Sequence, residues 1–378
     1  MQANSVKESF SFLTLFLSGD VMPGRGIDQI LPAPSSPQLH EPYVQDARDY
    51  LHLAEKVSGS MQKPVDYDYI WGDALKVLQS FPVDLRIINL ETAVTTSDAY
   101  WKGKGIHYRM HPANTPILAA AGIDCCVLAN NHVLDWGYPG LKETLGTLQQ
   151  AGIHTAGAGE SREQAQAPAT LEAKGKGRVR VFSFGHPGSG IPPEWSATDH
   201  RAGVAYLESL TQSAVQDIAA QIAAIKAPGD VIVVSLHWGG NWGYQVPQEQ
   251  RQFAHRLIDE AGVDVVHGHS SHHPKGIEVY RNRPILYGCG DLLNDYEGIE
   301  GYEPYRDDLS LMYFPTIDLT DGSLVRFMLR PLLIRRFKLN PPPVEDILWI
   351  RDMLNREGEK FGTSVEVVDK EGWLALRW

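Results

Sequence analysis

The chain has 378 residues, of which 43% are hydrophobic and 21% are charged, and its formal net charge is −12. This composition is typical of a globular protein with one large domain or two modest ones, and its acidity excludes a general nucleic-acid binder, which needs a basic surface. The three cysteines, two of them adjacent at Cys125 and Cys126, do not form a disulfide framework.

The amino-terminal segment carries an apolar run that is too short to span a membrane. Phe10–Leu17 follows Lys7 and Glu8 and is closed at once by Gly19 and Asp20. A signal peptide has a basic start and a small-residue cleavage site, and a transmembrane helix needs about 20 apolar residues. We therefore predict a first β-strand here, no membrane span and a cytoplasmic location.

Short apolar runs alternate along the chain with amphipathic segments, which predicts an α/β fold. Strands are predicted at 12–18, 83–89, 123–129, 153–155, 178–185, 230–236 and 263–266. Helices are predicted at 46–57, 73–79, 112–121, 139–151, 161–167, 210–225 and 248–261. Two hairpins follow, at 276–287 and 311–332, and Thr320-Asp321-Gly322 marks the turn of the second.

Two further segments define the predicted domain organisation. Residues 31–70 are rich in Pro, Ser and aromatic residues and are long for a βα connection, so we predict an inserted lid or substrate loop. Three prolines at 341–343 indicate a linker before an amphipathic helix at 344–356. The main domain is therefore predicted over 1–335, with the linker and helix of 336–378 packing on it.

Polar side chains of the metal-ligating type follow five of the predicted strands. They are Asp20, Glu91, Asn131 with His132, His237, and His269 with His272. The carboxyl ends of the strands in an α/β sheet share one edge, so we expect these side chains to converge in one cleft. Imidazole, carboxylate and amide ligands suit a divalent transition metal such as Mn, Zn or Fe, and not a cysteine-rich structural zinc site.

Together these motifs resemble the poly-γ-glutamate capsule-biosynthesis family (CapA/PgsA-like), a branch of the calcineurin-like metallophosphoesterase superfamily. The matching segments follow the family's order between residue 12 and about residue 320; they are Gly19–Arg25, Asn89–Thr92, Ala129–His132 with Asp135 and Gly137, His237–Gly239, and Gly268-His269 with His272. The resemblance implies a four-layer α/β/β/α sandwich, metallo-dependent phosphatase-like, with a centre of one or two metal ions at one sheet edge.

The resemblance also implies the ligands of two ions. For the first ion they would be Glu91, Asn131, His237 and His269, and for the second Asp20, His272 and Glu91 as the bridge. His132 would be the general acid or the phosphate contact, and Asp135 would orient it. An anionic small-molecule, peptide or polymer substrate is expected to contact Arg25, Arg109 and Asn241.

Two positions depart from the usual phosphoesterase pattern. Met22 stands two residues after Asp20, where a histidine is usual, and Glu91 stands in place of a bridging aspartate. Because a thioether is a poor ligand for a hard ion, we predict one tightly bound ion and a second that binds weakly or needs substrate.

Five other polar residues near these motifs are given supporting roles. His267 and His273 have no counterpart in the family and are expected to support the histidine-rich turn from behind. The segment after the next strand places Asp291, Asn294 and Asp295 at the rim of the same cleft.

Three functions remain open at the level of sequence. The first is a metal-dependent phosphoesterase-like hydrolase, which the ligand set favours. The second is a metal-independent acid/base catalyst, a peptide Cα epimerase, on the same fold. The third is a non-catalytic component of poly-γ-glutamate synthesis or transport.

Overall fold

The computed structural model describes residues 12–378. The start of the amino-terminal apolar run, on which the predicted cytoplasmic location partly depends, lies outside this range. No helix within it has the length and apolar character that crossing a membrane requires.

The strands of the described chain fall into two large sheets and two short pairs. In chain order they are β1 (Phe12–Val21), β2 (Leu85–Leu90), β3 (Ala93–Val94), β4 (Arg109–Met110), β5 (Cys125–Val127), β6 (His154–Ala156), β7 (Ala158–Gly159), β8 (Ala169–Ala173), β9 (Gly177–Gly185), β10 (Gly203–Val204), β11 (Val231–His237), β12 (Val265–His269), β13 (Ile277–Tyr280), β14 (Arg283–Leu286), β15 (Asp291–Leu293), β16 (Leu309–Asp318), β17 (Leu324–Ile334), β18 (Leu339–Asn340), β19 (Ser364–Val367) and β20 (Leu374–Arg377).

The helices connect these strands and cover the outer faces of the sheets. In chain order they are α1 (Arg25–Asp28), α2 (Arg48–Ser58), α3 (Asp73–Ser80), α4 (Pro116–Ala120), α5 (Gly137–Gln150), α6 (Arg162–Gln166), α7 (Gln212–Ala223), α8 (Gln248–Ala261) and α9 (Val344–Gly358). The predicted helix in the 31–70 insert is present as α2, although most of the insert is irregular.

The first sheet has the order β19-β20-β17-β16-β1-β2-β5-β6, with β15 and β18 paired at its sides. Its half from β1 to β6 is parallel, so the polar residues that follow β1, β2 and β5 lie at one edge. The second sheet has the order β13-β14-β12-β11-β9-β8. In it, β11 and β12 run parallel, and His237 lies opposite His269 in the register.

The two sheets pack face to face, and the alternation of side chains along each strand separates the layers. Leu13, Leu15 and Leu17 of β1 belong to the apolar core between the sheets, together with Val233 of β11. Phe16, on the other face of β1, packs with helices α3 and α5. The opposite face of the second sheet packs on α7 and α8. The predicted four-layer α/β/β/α sandwich is therefore confirmed.

Residues 336–378 contribute strands to the first sheet in addition to the predicted linker and helix. After the prolines, α9 packs its buried face into the core between the sheets, through residues such as Ile350 and Met353. The chain then adds β20 and β19 to the edge of the first sheet. This segment is therefore built into the sandwich and contributes to its core.

Candidate metal centre

Asp20 occupies the centre of the polar edge because three strands meet there. It lies at the end of β1, opposite Asn89 of β2 and Asp291 of β15 in the register. Its carboxylate is fully buried, and Oδ1 accepts a hydrogen bond of 2.8 Å from Asn89 Nδ2. The other oxygen, Oδ2, has no hydrogen-bond partner. A buried carboxylate oxygen without a partner is costly, and a cation is the natural group to satisfy it.

Two sets of ligand-type side chains share this carboxylate. The first set consists of Asp20, His237 and His269, and the second of Asp20, His272 and Asp291; all are buried. In the first set the two imidazole Nδ1 atoms lie 2.8 Å apart, and His269 Nδ1 lies 3.9 Å from Asp20 Oδ1. We call the first set the histidine-pair group and the second the His272 group.

A chain of hydrogen bonds fixes the tautomer of His269. His267 Nε2 donates to the carbonyl of Ser18 at 2.8 Å, so His267 Nδ1 carries a lone pair and accepts from the Ser235 hydroxyl at 3.2 Å. That hydroxyl therefore accepts from His269 Nε2, 2.7 Å away. His269 is left with its Nδ1 lone pair directed at Asp20 and His237.

His237 reaches the same state from the other side. Its Nε2 donates to Asn131 Oδ1 at 3.0 Å, which leaves the lone pair on Nδ1. Burial, and then the neighbouring imidazoles, lower the pKa of both His237 and His269, so both rings are neutral. Two nitrogen lone pairs facing each other beside an unsatisfied carboxylate repel, and a bound cation removes that repulsion. The residues present therefore fit a divalent metal ion.

The His272 group is arranged differently. His272 Nδ1 lies 2.9 Å from Asp291 Oδ1, and Asn294 Nδ2 donates to the other oxygen of Asp291 at 2.8 Å. Burial by itself would lower the pKa of His272, but the adjacent Asp291 outweighs it and the pKa is raised. The imidazole and the carboxylate therefore form an ion pair of their own, which a metal ion would have to replace.

The raised pKa values of the carboxylates at the sheet edge indicate a cation site. Burial, followed by the charge of Asp291, raises the pKa of Asp20 to about 7. Burial, followed by the charge of Asp20, raises the pKa of Glu91 well above its usual value. Both shifts mean that the surrounding groups do not fully offset the cost of burying these charges, and a divalent ion would supply the remainder.

Glu91 and Asn131, two of the predicted ligands, stand close to the histidine-pair group. Glu91 Oε1 lies 3.8 Å from His237 Nε2, and its other oxygen accepts from Asn89 at 2.8 Å. Asn131 uses its side-chain oxygen to orient His237. The carboxylate common to both groups is Asp20. The bridging role that the resemblance implies for Glu91 stays a prediction.

His132 and Asp135 form the expected pair beside the cluster. His132 Nδ1 lies 2.7 Å from Asp135 Oδ2, and His132 Nε2 lies 3.9 Å from Glu91 Oε1. Lys104 was not predicted from the sequence; its Nζ lies 2.9 Å from His132 Nδ1 and contacts both Asp135 Oδ1 and the Asn131 carbonyl. Burial, then the charge of Lys104, lowers the pKa of His132.

The guanidinium of Arg25, expected to bind a substrate anion, lines the cleft but is already paired. It donates to Asp295 at 2.5 and 3.1 Å and to Glu41 at 3.3 Å, and it stacks on the rings of Tyr50 and Tyr108. Arg25 thus ties the insert, through Glu41 and Tyr50, to the floor of the cleft, with its charge matched by two carboxylates.

Arg109 and Asn241, the other two expected substrate contacts, lie in different places. Arg109 binds Asp98 and stacks over Trp136, outside the cleft of the metal cluster. Asn241 does line that cleft, and its carbonyl accepts from the His272 backbone N–H at 3.0 Å. Asn241 therefore lies at the cleft of the metal cluster, and Arg109 lies outside it.

Met22 and the supporting histidines complete the surroundings. Met22 is buried, and its sulfur lies 4.0 Å from the Tyr296 hydroxyl. His267 supports His269 through Ser235, as described above, and His273 Nε2 accepts from the Gly243 backbone N–H at 3.1 Å. Both histidines act behind the cluster, which agrees with the supporting roles expected for them.

Three contributors to the cluster were missed or undervalued in the sequence. Ser235 is a hydroxyl in the otherwise apolar run of β11 before His237, and that interruption was the available signal. Asp291 follows a Gly-Cys-Gly turn and was placed only at the rim. Lys104 stands between Gly103 and Gly105 in an aromatic loop, with no motif around it.

The segments that form the metal cluster also match a known protein family. The family model described as "Bacterial capsule synthesis protein PGA_cap" matches residues 14–296. The chain belongs to this family. The resemblance found in the sequence motifs is thereby confirmed, and all the residues of both ligand groups lie within the matched range.

Named relatives support the assignment over nearly the whole length. A probable polyglutamine synthesis accessory protein of Mycobacterium tuberculosis is 46% identical over 354 residues, which cover 93% of each chain. The PGA biosynthesis protein CapA of Bacillus subtilis is 25% identical and covers 86% of this chain and 72% of its own. A solved structure of a phosphatase from Mycoplasma pneumoniae aligns with a TM-score of 0.47 and 10% identity, covering 85% of this chain and 94% of its own.

Proposed function

We propose that this chain is a metal-dependent hydrolase of phosphate esters, acting in capsule or polyglutamate metabolism. One observation carries the proposal: the buried Asp20, with an unpartnered oxygen, stands between two sets of metal-ligating side chains at the floor of a cleft. The names of the relatives support the metabolic setting. The mixed nitrogen and oxygen donors suit Mn, Zn or Fe.

Asp20, His237 and His269 would hold the first ion, and His272 and Asp291, with Asp20, a second. Ions bound here would polarise a phosphate ester and lower the pKa of water. Asn131, Ser235 and His267 keep the two imidazoles of the first group in the tautomer that exposes Nδ1.

His132 is the residue we assign to proton transfer. Its Nδ1 is held by Asp135, so Nε2 is the atom left to move a proton. Burial lowers the pKa of His132, and a bound phosphate ester would bring negative charge beside Nε2 and favour the protonated ring. The protonated Nε2 then donates its proton to the leaving oxygen.

The test is turnover of bis(4-nitrophenyl) phosphate and 4-nitrophenyl phosphate by protein reconstituted with Mn²⁺. We expect activity that EDTA abolishes and Mn²⁺ restores. In His132→Gln, kcat should fall by about a hundredfold or more, the usual contribution of a general acid, while the bound metal per chain stays constant. Gln at 132 keeps the size and polarity of the ring without a transferable proton.

Two other results would point to the alternatives. Exchange of a peptide Cα hydrogen for deuterium in the presence of EDTA, without ester hydrolysis, would favour the metal-independent epimerase. Metal binding with no turnover of either ester would contradict the hydrolase proposal. It would favour an accessory role, which the name of the mycobacterial relative states for that protein.

A further inference from the structure

The cleft above the metal cluster has a volume of 650 Å³ and carries little positive charge that is free to bind a substrate. Among the described residues that line it, the Lys and Arg side chains are Arg25 and Lys104. Arg25 is paired with Asp295 and Glu41, and Lys104 contacts Asp135. Lys104 also lies against His132, so the cation nearest the proposed reacting centre is held there and not along the walls.

The outer part of the cleft is aromatic and apolar. Trp242 and Tyr302 both line it, and their rings stack in parallel with centroids 4.1 Å apart. Tyr43 of the insert and Ile106 also line it, with 97% and 45% of their surfaces exposed. Large apolar side chains exposed together at the mouth of a cleft indicate a surface that binds something.

The aromatic wall is attached directly to the metal cluster. The Trp242 ring lies 5.4 Å from the ring of His272, and the backbone on each side of Trp242 is fixed by the histidine-rich turn. His272 N–H donates to the Asn241 carbonyl, and the Gly243 N–H donates to His273 Nε2. Trp242 is therefore within reach of the next atoms of a ligand that has one group at the cluster.

We propose that the substrate carries its negative charge only at the group bound by the metal cluster. The remainder is an uncharged ring, a sugar or an aryl group, whose apolar face lies against the Trp242–Tyr302 pair. This inference rests on the proposed function and names its substrate class. A polymer with a carboxylate on every unit is disfavoured, because its charges would meet aromatic walls and no free cations.

The test measures binding of non-hydrolysable phosphonates to the Mn²⁺-loaded protein by calorimetry. The probes are methylphosphonate, phenylphosphonate, a glucosyl phosphonate and a γ-linked glutamate pentamer. We expect at least one ring-bearing phosphonate to bind about tenfold more tightly than methylphosphonate, the scale of one aromatic contact. Preference for the phenyl or the glucosyl probe distinguishes an aryl from a sugar substituent. The pentamer should compete no better than methylphosphonate.

The matched variants are Trp242→Ala and Trp378→Ala. Trp378 is a half-exposed tryptophan directly after β20. Trp242→Ala should reduce the ring preference from about tenfold to about onefold, and Trp378→Ala should keep it. Thermal unfolding and metal content of both variants report whether the fold and the cluster are intact.

The outcomes separate this inference from the proposed function. Equal affinity for methyl- and ring-bearing phosphonates, or tighter binding of the glutamate pentamer, overturns the inference and leaves the hydrolase proposal standing. Retention of the preference in Trp242→Ala overturns the assigned wall. Absence of binding by every phosphonate to the metal-loaded protein overturns both proposals.

Discussion

The two ligand groups at the sheet edge share Asp20, yet they are prepared for a cation in different ways. In the histidine-pair group, hydrogen bonds to both Nε2 atoms leave two Nδ1 lone pairs facing each other. In the His272 group, the imidazole is engaged with Asp291 at 2.9 Å. The first group offers an ion two imidazole lone pairs that are already free, whereas the second must first give up a proton and an ion pair.

This difference gives a physical reason for the unequal metal affinities expected from the sequence. In the sequence, Met22 is the reason to expect a weak second ion, and the structure adds Asp291 as a further ligand-type side chain beside His272. This carboxylate also neutralises His272. We therefore propose that the second site is weak because it is closed by its own ion pair and not because it lacks ligands.

Asp20→Asn is expected to have the largest effect, because it removes the charge that both groups share. Metal retention should be lost, and ester hydrolysis should fall by about a thousandfold, equivalent to about 4 kcal/mol of transition-state stabilisation. Metal content by mass spectrometry and kcat are the measurements. Asp124→Asn is the control: Asp124 is a half-buried carboxylate at the amino end of β5, opposite the cluster edge.

Retention of one ion per chain in Asp20→Asn would contradict the role of Asp20 as the ligand that both groups need. It would show that the histidines and Glu91 hold a metal without the shared carboxylate, which is closer to the assignment that the family resemblance implied.

Ser235→Ala tests the hydrogen-bond chain behind the histidine pair. Without the hydroxyl, the Nε2 proton of His269 has no partner and the ring is free to adopt the other tautomer, so affinity for the tight ion should fall about 10–100-fold. The chain offers a matched control, because Ser183 lies directly opposite Ser235 on β9, is buried, and makes no hydrogen bond through its hydroxyl.

The measurement is metal titration of both serine variants by calorimetry. Ser183→Ala should bind the tight ion as the unaltered protein does. Equal losses in the two variants would mean that packing of β11 on β9, and not the tautomer of His269, determines the affinity.

Asp291→Asn is expected to have the smallest effect. It replaces the one charged ligand that the His272 group does not share with the histidine pair, and the pair keeps all its hydrogen bonds. The weak binding step should therefore fall about tenfold while the tight step changes less than twofold. Titration with Mn²⁺ resolves the two steps. A loss confined to the tight step would reverse the roles that we assign to the two groups.

The layers of the fold could be predicted because strand periodicity is local. Leu13, Leu15 and Leu17 alternate with Phe16, and that pattern places the two faces of β1 before any partner is known. β8 was not predicted because its sequence, Ala-Thr-Leu-Glu-Ala, has Thr170 as its only strong β-forming residue, and because it pairs at a sheet edge. β19 and β20 were not predicted because each has only four residues, which is too short for a clear periodic pattern.

The ligands that directly follow apolar strands could be predicted from the sequence. The ion pairs between residues that are distant in sequence could not. His237 and His269 could be predicted because they stand at the ends of the apolar strands β11 and β12. Arg25 looked available for a substrate because its partners, Glu41 and Asp295, come from the insert and from a segment 270 residues away. Pairing of this kind depends on tertiary structure and leaves no local pattern.

The most direct test of the unequal groups is the number of metal ions that each chain retains. Protein loaded with excess Mn²⁺ or Zn²⁺ is dialysed against a mild chelator, and metal per chain is measured by mass spectrometry. We predict one retained ion, which Ser235→Ala loses and Asp291→Asn keeps. Two tightly retained ions per chain, or one that survives in Ser235→Ala and is lost in Asp291→Asn, would contradict the account.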